Sequence, residues 1–308
     1  MIGENILQFI GNTPLIKLKK TEKNSADIYA KCEFLNVGAS VKTRSAYNMI
    51  MGAKSQGRIA KNTTIVEVSS GNQGISLAMI CSVIGLKCVI VIPSSVSEER
   101  RKLILQYGAT VVTVADYGDI GDCIKRCFIK ADEIASITKN AFRPDQFNNL
   151  LNRDAHYCYT ANEIIKDLNG ISPHALCLGV GSGGTLGGMA KRLKEVYCDL
   201  QVYAVEPENA SALTGEKIGE HLQMGIGDGI IPPFFNLDEL QGVITVSDEN
   251  AIKSAKELAL SQGMLCGISS GSNFWASKQI AKKLGRGKVV LTLFADTGER
   301  YFSTPLFD

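Results

Sequence analysis

Three short segments of this 308-residue chain carry the residue types that could do chemistry on a small anionic molecule. The first is Glu67-Val68-Ser69-Ser70-Gly71-Asn72-Gln73-Gly74-Ile75, which follows the β-branched run Thr63-Thr64-Ile65-Val66 and opens an apolar helix from Ile75 to Ile84. A strand that breaks into a Ser/Gly/Asn loop and then a helix presents backbone N–H groups at one point. First-turn amides lack intrahelical partners, and the helix dipole adds positive potential there. The loop is short and lacks the lysine of a nucleoside-triphosphate loop. It suits a carboxylate held by hydroxyls and amides, with the Asn72 amide left to touch a group beside it. An ordinary turn between strand and helix has the same composition.

The second segment, Gly179-Val180-Gly181-Ser182-Gly183-Gly184-Thr185, again lies between an apolar run and a helix. Its glycines let the backbone wrap a phosphate closely, and Ser182 and Thr185 add hydroxyl donors. A dinucleotide site would need an acidic partner about 20 residues on. Glu206 is poorly placed for that task, and a single phosphate fits better. The third segment is Asn36-Val37-Gly38-Ala39-Ser40-Val41-Lys42-Thr43-Arg44. A lysine in a small, apolar segment that opens a helix would be partly desolvated. Desolvation and the helix amino terminus both lower an amine's pKa and favour the nucleophilic neutral form, as in a Schiff-base lysine. Exposed lysines in loops are commoner.

The elements that must hold these segments alternate almost throughout. Val89–Pro93 reads as a buried strand, 97–107 as a helix stopped by Gly108, and Thr110–Val114 as the next strand. Ala175–Leu178, a helix ending near Tyr197, Gln201–Val205 and Val289–Phe294 repeat the pattern. Apolar strands in β–α–β units imply an α/β fold with mostly parallel twisted sheets covered on both faces. We expect two lobes, 1–145 and 146–308, with about 13–34 packing on the second lobe and a ligand cleft at the strands' carboxyl ends. The polar stretch from Asn140 to Asp154 is the expected seam.

Composition narrows the class. Apolar residues make up 45% and charged residues 21%, ordinary for a globular protein, and a net charge of +2 does not argue for nucleic acid or a membrane surface. No apolar run reaches the roughly 20 residues of a membrane span. Met1-Ile2-Gly3-Glu4-Asn5 has no signal character, so the nine cysteines suggest a reducing cytoplasm. Cys123 and Cys127 are spaced wrongly for a redox pair, and three histidines away from cysteine pairs argue against a metal site.

Taken together the segments resemble one family nearly end to end, from Ile10-Gly11-Asn12-Thr13-Pro14-Leu15 to Gly298-Glu299-Arg300-Tyr301-Phe302-Ser303-Thr304. The chain is similar to the cysteine synthases (O-acetylserine sulfhydrylases) of the wider cystathionine β-synthase group, which have the fold type II pyridoxal-phosphate architecture. The resemblance implies pyridoxal 5′-phosphate as cofactor, carried on Lys42 as a Schiff base. Asn72 would face the cofactor's ring hydroxyl, Gly181, Ser182, Gly183, Gly184 and Thr185 its phosphate, and Ser269 its pyridine nitrogen. Ser69, Ser70, Gln73 and Gln146 would embrace the substrate carboxylate. A homodimer is implied, and in some family members a cleft that receives a serine acetyltransferase carboxyl terminus.

A serine hydroxyl opposite the ring nitrogen makes a weaker electron sink than an aspartate would, which suits β-elimination and β-replacement through an α-aminoacrylate. Freed Lys42 is placed to remove the α-proton. Thr43 stands where the family commonly has Asp, and Gln73 where it commonly has Thr. More consequentially, Asp228 in Gly225-Ile226-Gly227-Asp228-Gly229-Ile230-Ile231-Pro232 replaces a small apolar residue. A carboxylate there could take a proton from an incoming water or thiol and would repel an anionic leaving group. Aspartate is also ordinary turn chemistry in such a loop. The expected reaction is β-replacement on L-cysteine with release of sulfide. The alternatives are cysteine synthesis from O-acetylserine, a dehydratase of the same fold, and a regulatory binding protein.

Overall fold

The computed structural model describes residues 2–20, 22–69, 71–117, 120–215 and 219–308. In chain order its elements are β1 (Leu15–Lys17), β2 (Asp27–Cys32), α1 (Lys42–Ser55), β3 (Thr64–Val68), α2 (Asn72–Ile84) and β4 (Lys87–Pro93). Next come α3 (Glu98–Gln106), β5 (Thr110–Val114), α4 (Ile120–Ile137), β6 (Ala141–Phe142) and α5 (Leu150–Ala155). A π-type turn, His156–Thr160, leads into α6 (Ala161–Leu168), β7 (Ala175–Gly179), α7 (Gly184–Val196) and β8 (Gln201–Pro207). The chain closes with β9 (Gly242–Val246), α8 (Asp248–Glu257), α9 (Ile268–Leu284) and β10 (Val289–Phe294).

Two sheets result. Four parallel strands run in the order β5-β4-β3-β6, and six in the order β1-β2-β10-β7-β8-β9, where the β1–β2 pair is antiparallel. The fold is α/β, as the apolar strands imply. β2 lies parallel to β10 over its full length, with Asp27 opposite Val289 and Cys32 opposite Phe294. Residues 15–32 therefore belong to the six-stranded sheet, although α1 and β3 follow them directly.

Helices cover both faces of each sheet, and alternate strand residues go to opposite sides. In β3, Ile65 joins Ile75, Ile80 and Ile104 on one face, while Val66 and Val68 meet Cys123, Cys127 and Ala131 of α4 on the other. In β10, Val290 and Phe294 pack towards α9, and Leu291 and Leu293 towards Leu186 and Leu193 of α7. This is the period-2 burial of a doubly covered sheet.

A buried ion network joins the parts. Arg44 of α1 donates to Glu33 at 2.9 Å and to Glu163 of α6 at 2.6 Å, and Lys31 reaches Glu163 at 3.0 Å. Burial alone would raise the Glu163 carboxyl. The Arg44 contacts, the Asn12 amide and Lys31 outweigh it and hold that carboxyl at about 2. Among the described residues, no helix is long and apolar enough to cross a membrane.

Candidate active site

The carboxyl ends of β3, β7 and β10 and the amino ends of α1, α2, α7 and α9 converge on one cleft. Lys42, Ser69, Asn72, Gln73, Gln146, Gly181, Ser182, Gly183, Thr185, Asp228 and Ser269 all line it. Gly184 sits just behind, as the first residue of α7. Ser70 lies outside the described residues. Segments distant in sequence meet because strand-end loops and helix amino termini of the sheets gather at this cleft.

Lys42 is the first residue of α1, placed by the Val41 amide, which donates to the Ala295 carbonyl at 2.8 Å. Its Nζ donates to Ser182 Oγ at 3.3 Å. Burial pulls the Lys42 amine down, and the nearby Asp228 charge only partly offsets this. The neutral, nucleophilic form is thereby favoured.

The glycine loop is a cradle that side chains would fill. A Cβ on Gly181 would lie 2.5 Å from the Gly225 carbonyl oxygen, and one on Gly184 would lie 2.3 Å from Asn152 Oδ1. Gly183 adopts φ +77°, a left-handed conformation that glycine takes without strain. The 13-residue helix α7 points its amino terminus into this cradle. The shape and dipole fit a phosphate. Thr185 Oγ1 lies 3.3 Å from His156 Nε2, and Nδ1 of the same ring lies 3.0 Å from Thr160 Oγ1. Burial drives His156 well below its ordinary pKa, with Arg44 and Lys42 adding to the effect, so the ring is neutral at pH 7.

Around α2 the expectation needs correcting. The helix begins at Asn72, not at Ile75, and Ser69 Oγ already accepts from the amides of Gly71 at 3.1 Å and Gly74 at 2.9 Å. Fewer free amides face the cleft than the loop's composition suggested. Gln73 supplies a different donor: its Oε1 accepts from Ser45 at 3.1 Å, while its buried Nε2 has no partner among the described residues. An orphaned amide donor at this place fits a substrate carboxylate. Gln146 Nε2 donates to the Val68 carbonyl at 3.3 Å and borders the same space.

Asp228 points at the glycine cradle, with Oδ2 only 3.0 Å from where a Gly181 Cβ would stand. Its loop is strapped there by the Gly227 amide, which donates to the Val180 carbonyl at 2.9 Å. Burial raises the Asp228 carboxyl, and Lys42 and His221 counter it. Glu206 is committed elsewhere, accepting from the Leu213 amide at 2.9 Å and from Thr214 Oγ1 at 3.0 Å, which removes the dinucleotide reading. Among the described residues no cluster of three or more His, Cys, Asp or Glu could hold a metal ion.

Several contributors carried no local signal. Asn152 donates to Ser182 Oγ at 3.0 Å and to the Gln146 carbonyl at 2.7 Å; only its place in the polar stretch 140–154 hinted at a role. Asn273 accepts from the Gly179 amide at 2.6 Å and donates to the Leu293 carbonyl at 2.7 Å, fixing the root of the glycine loop.

The family model described as pyridoxal-phosphate dependent enzyme matches residues 6–296. Cysteine synthase B of Campylobacter jejuni is 45% identical over 307 residues, 99% of each chain. The chain belongs to the cysteine synthase family of pyridoxal-phosphate dependent enzymes. Solved members of similar shape include a hydrogen sulfide-producing enzyme from Fusobacterium nucleatum, 37% identical at TM-score 0.92, covering 97% of this chain and 100% of that one. The O-acetylserine dependent cystathionine β-synthase of Helicobacter pylori is 36% identical at TM-score 0.94, covering 100% of both. Another hydrogen sulfide-producing enzyme, 33% identical at TM-score 0.89 over 97% of this chain and 90% of that one, is an aspartate-to-asparagine mutant in complex with an α-aminoacrylate intermediate. For this family member, Lys42, the cradle from Gly181 to Thr185, Asn72 and Ser269 are the groups available to hold the cofactor.

Proposed function

We propose that this enzyme catalyses β-replacement on L-cysteine, expelling sulfide and adding water or a thiol at Cβ. The observation that carries the reading is Asp228, a carboxyl aimed into the cleft between the glycine cradle and Lys42. Pyridoxal phosphate, when bound, supplies the electron sink for breaking the Cα–H and Cβ–S bonds. Gln73, Gln146 and Ser69 orient the substrate carboxylate. The Lys42 amine takes the proton from Cα. Asp228 takes the proton from the incoming oxygen or sulfur as it bonds to Cβ. With water the balance is cysteine plus water giving serine plus hydrogen sulfide; with a thiol the product is a thioether amino acid. A carboxylate there also disfavours an anionic leaving group such as acetate. A hydrogen sulfide-producing neighbour solved as an aspartate-to-asparagine mutant in complex with an α-aminoacrylate intermediate supports an aspartate's part in such a reaction.

Biosynthesis of cysteine from O-acetylserine and sulfide is the second reading, favoured by the Campylobacter jejuni relative and the O-acetylserine dependence of the Helicobacter pylori neighbour. We further propose a homodimer in the cytoplasm, where all nine cysteines would stay free thiols as they are here. Under the biosynthetic reading, a serine acetyltransferase carboxyl terminus is the proposed partner for the cleft.

The test compares the parent with Asp228→Asn. The parent should turn over L-cysteine alone, with serine or a thioether as co-product of sulfide. Asp228→Asn should release sulfide once and then lose about 10²–10⁴-fold in steady rate, the usual worth of a positioned acid–base group. Unchanged turnover in the mutant, or a wide preference of the parent for O-acetylserine, would move the biosynthetic reading into first place.

A further inference from the structure

Asn72 does not stand alone. Its Nδ2 donates to Asp296 Oδ2 at 2.7 Å, and its Oδ1 accepts from the Arg300 guanidinium. Both partners are buried, Asp296 at 0% and Arg300 at 4% exposure, so solvent screens little of the interaction. Both come from the segment that follows β10, more than 200 positions along the chain from Asn72. That segment is itself pinned: Tyr301 donates to Asp296 Oδ2 at 2.8 Å, and the Gly267 amide donates to the Asp296 carbonyl at 3.0 Å. Arg100 stacks on the Tyr301 ring at 4.8 Å and lies 4.0 Å from Asp296 Oδ2, so a cation also stands beside the carboxyl.

A side-chain amide has two nearly isosteric orientations. Here a flipped Asn72 would aim its NH2 at a guanidinium and its oxygen at a carboxyl, repulsive at both ends. The observed orientation spends one of the two Nδ2 hydrogens on Asp296 and leaves the other for the cleft. A guanidinium on the amide oxygen also draws electron density from the nitrogen and strengthens that remaining donor. We infer that Asp296 and Arg300 are positioning residues: they fix the Asn72 amide and sharpen its hydrogen bond to the ring oxygen of the cofactor. The inference rests on the family cofactor and on the proposed place of Asn72 beside its ring hydroxyl.

The consequence is readable without turnover. A donor no longer held in place stabilises negative charge on the ring oxygen less, so the two tautomers of the bound chromophore redistribute and cofactor affinity falls. In the loaded enzyme, Asp296→Ala should shift the ratio of the long- and short-wavelength absorption bands. It should also raise the cofactor dissociation constant about threefold to tenfold, the worth of one hydrogen bond. Asp296→Asn, whose amide oxygen can still accept, should restore most of the parent spectrum. The decisive comparison is made in an Asn72→Ala background, where Asp296→Ala should add no further shift in bands or affinity. A full additional shift there, or a parent-like spectrum for Asp296→Ala beside intact Asn72, overturns the inference. If Asp296→Ala does not fold, Asp296→Asn and Arg300→Lys run through the same cycle with the same criterion. A parent protein that develops no cofactor absorption at all would instead refute the cofactor reading.

Discussion

Lys42 Nζ donates a hydrogen bond of 3.3 Å to Ser182 Oγ, tying the first residue of α1 to a glycine loop 140 positions away. The amine and the glycine loop are thus set against each other by the start of α1 and the end of β7. Chemistry at Lys42 depends on both halves of the molecule being in register.

Removing that amine is the first test. Lys42→Ala should fold, because the side chain faces the cleft, but should lose the absorption of a cofactor-bound Schiff base and all turnover. Borohydride reduction of the parent followed by peptide mass spectrometry should put the pyridoxyl adduct on Lys42. An adduct on another lysine would refute the assignment.

Ser269, the second residue of α9, borders the cleft with its side chain, while the neighbouring Ser270 hydroxyl is engaged by the Ala295 amide at 2.9 Å. Ser269→Ala should cost about threefold to tenfold in rate, since a neutral hydrogen bond is worth about 0.5–1.5 kcal/mol. Ser269→Asp should stabilise a protonated ring nitrogen and change the spectrum seen with substrate. Complete loss of activity in a cofactor-loaded Ser269→Ala would contradict a weak-sink design.

Acid stability should report on Glu163. Its carboxyl is held at about 2 in the folded chain against an ordinary value of 4.5. A depressed folded pKa gives stability that is complete above 4.5 and drains away as pH falls towards 2. Glu163→Gln leaves Arg44 paired with Glu33 and Lys31 with Asp167 but removes the carboxylate they share, which should cost about 1.5–3 kcal/mol, the worth of a hydrogen bond between charged groups. Urea unfolding at pH 7 should show that loss, and a pH series should show a flatter acid limb. A mutant as stable as the parent at pH 7, with the same acid limb, would contradict this account.

The strands were legible because their apolar, β-branched runs, such as Val89–Ile92 and Val289–Phe294, are read the same way by any doubly covered sheet. The cofactor-type segments were legible because each is a contiguous loop. What escaped were partners brought in from afar. Asp296 and Arg300 meet Asn72 across 224 and 228 positions, and nothing in their local sequence marks that contact. The start of α2 was missed because Ser69, a loop residue by composition, folds back and caps the helix. β1, β2, β6 and β9 went unread: β1 and β6 are too short to carry a pattern, β2 is interrupted by Asp27 and Lys31, and β9 opens on a glycine.

The pairing of β2 with β10 has a consequence for how the chain is made. The ribbon of Leu15–Lys17 and Asp27–Cys32 emerges early in synthesis, yet its inner edge has no mate until Val289–Phe294 appear almost at the end. β10 also separates β2 from β7, so before it arrives the six-stranded sheet is two unjoined pieces, each with a bare edge. Bare edges recruit other strands, and pairings between distant segments form slowly. Chains interrupted ahead of Val289 should therefore accumulate as aggregates, while the last 20 residues act as a commitment step that joins the two pieces of the six-stranded sheet.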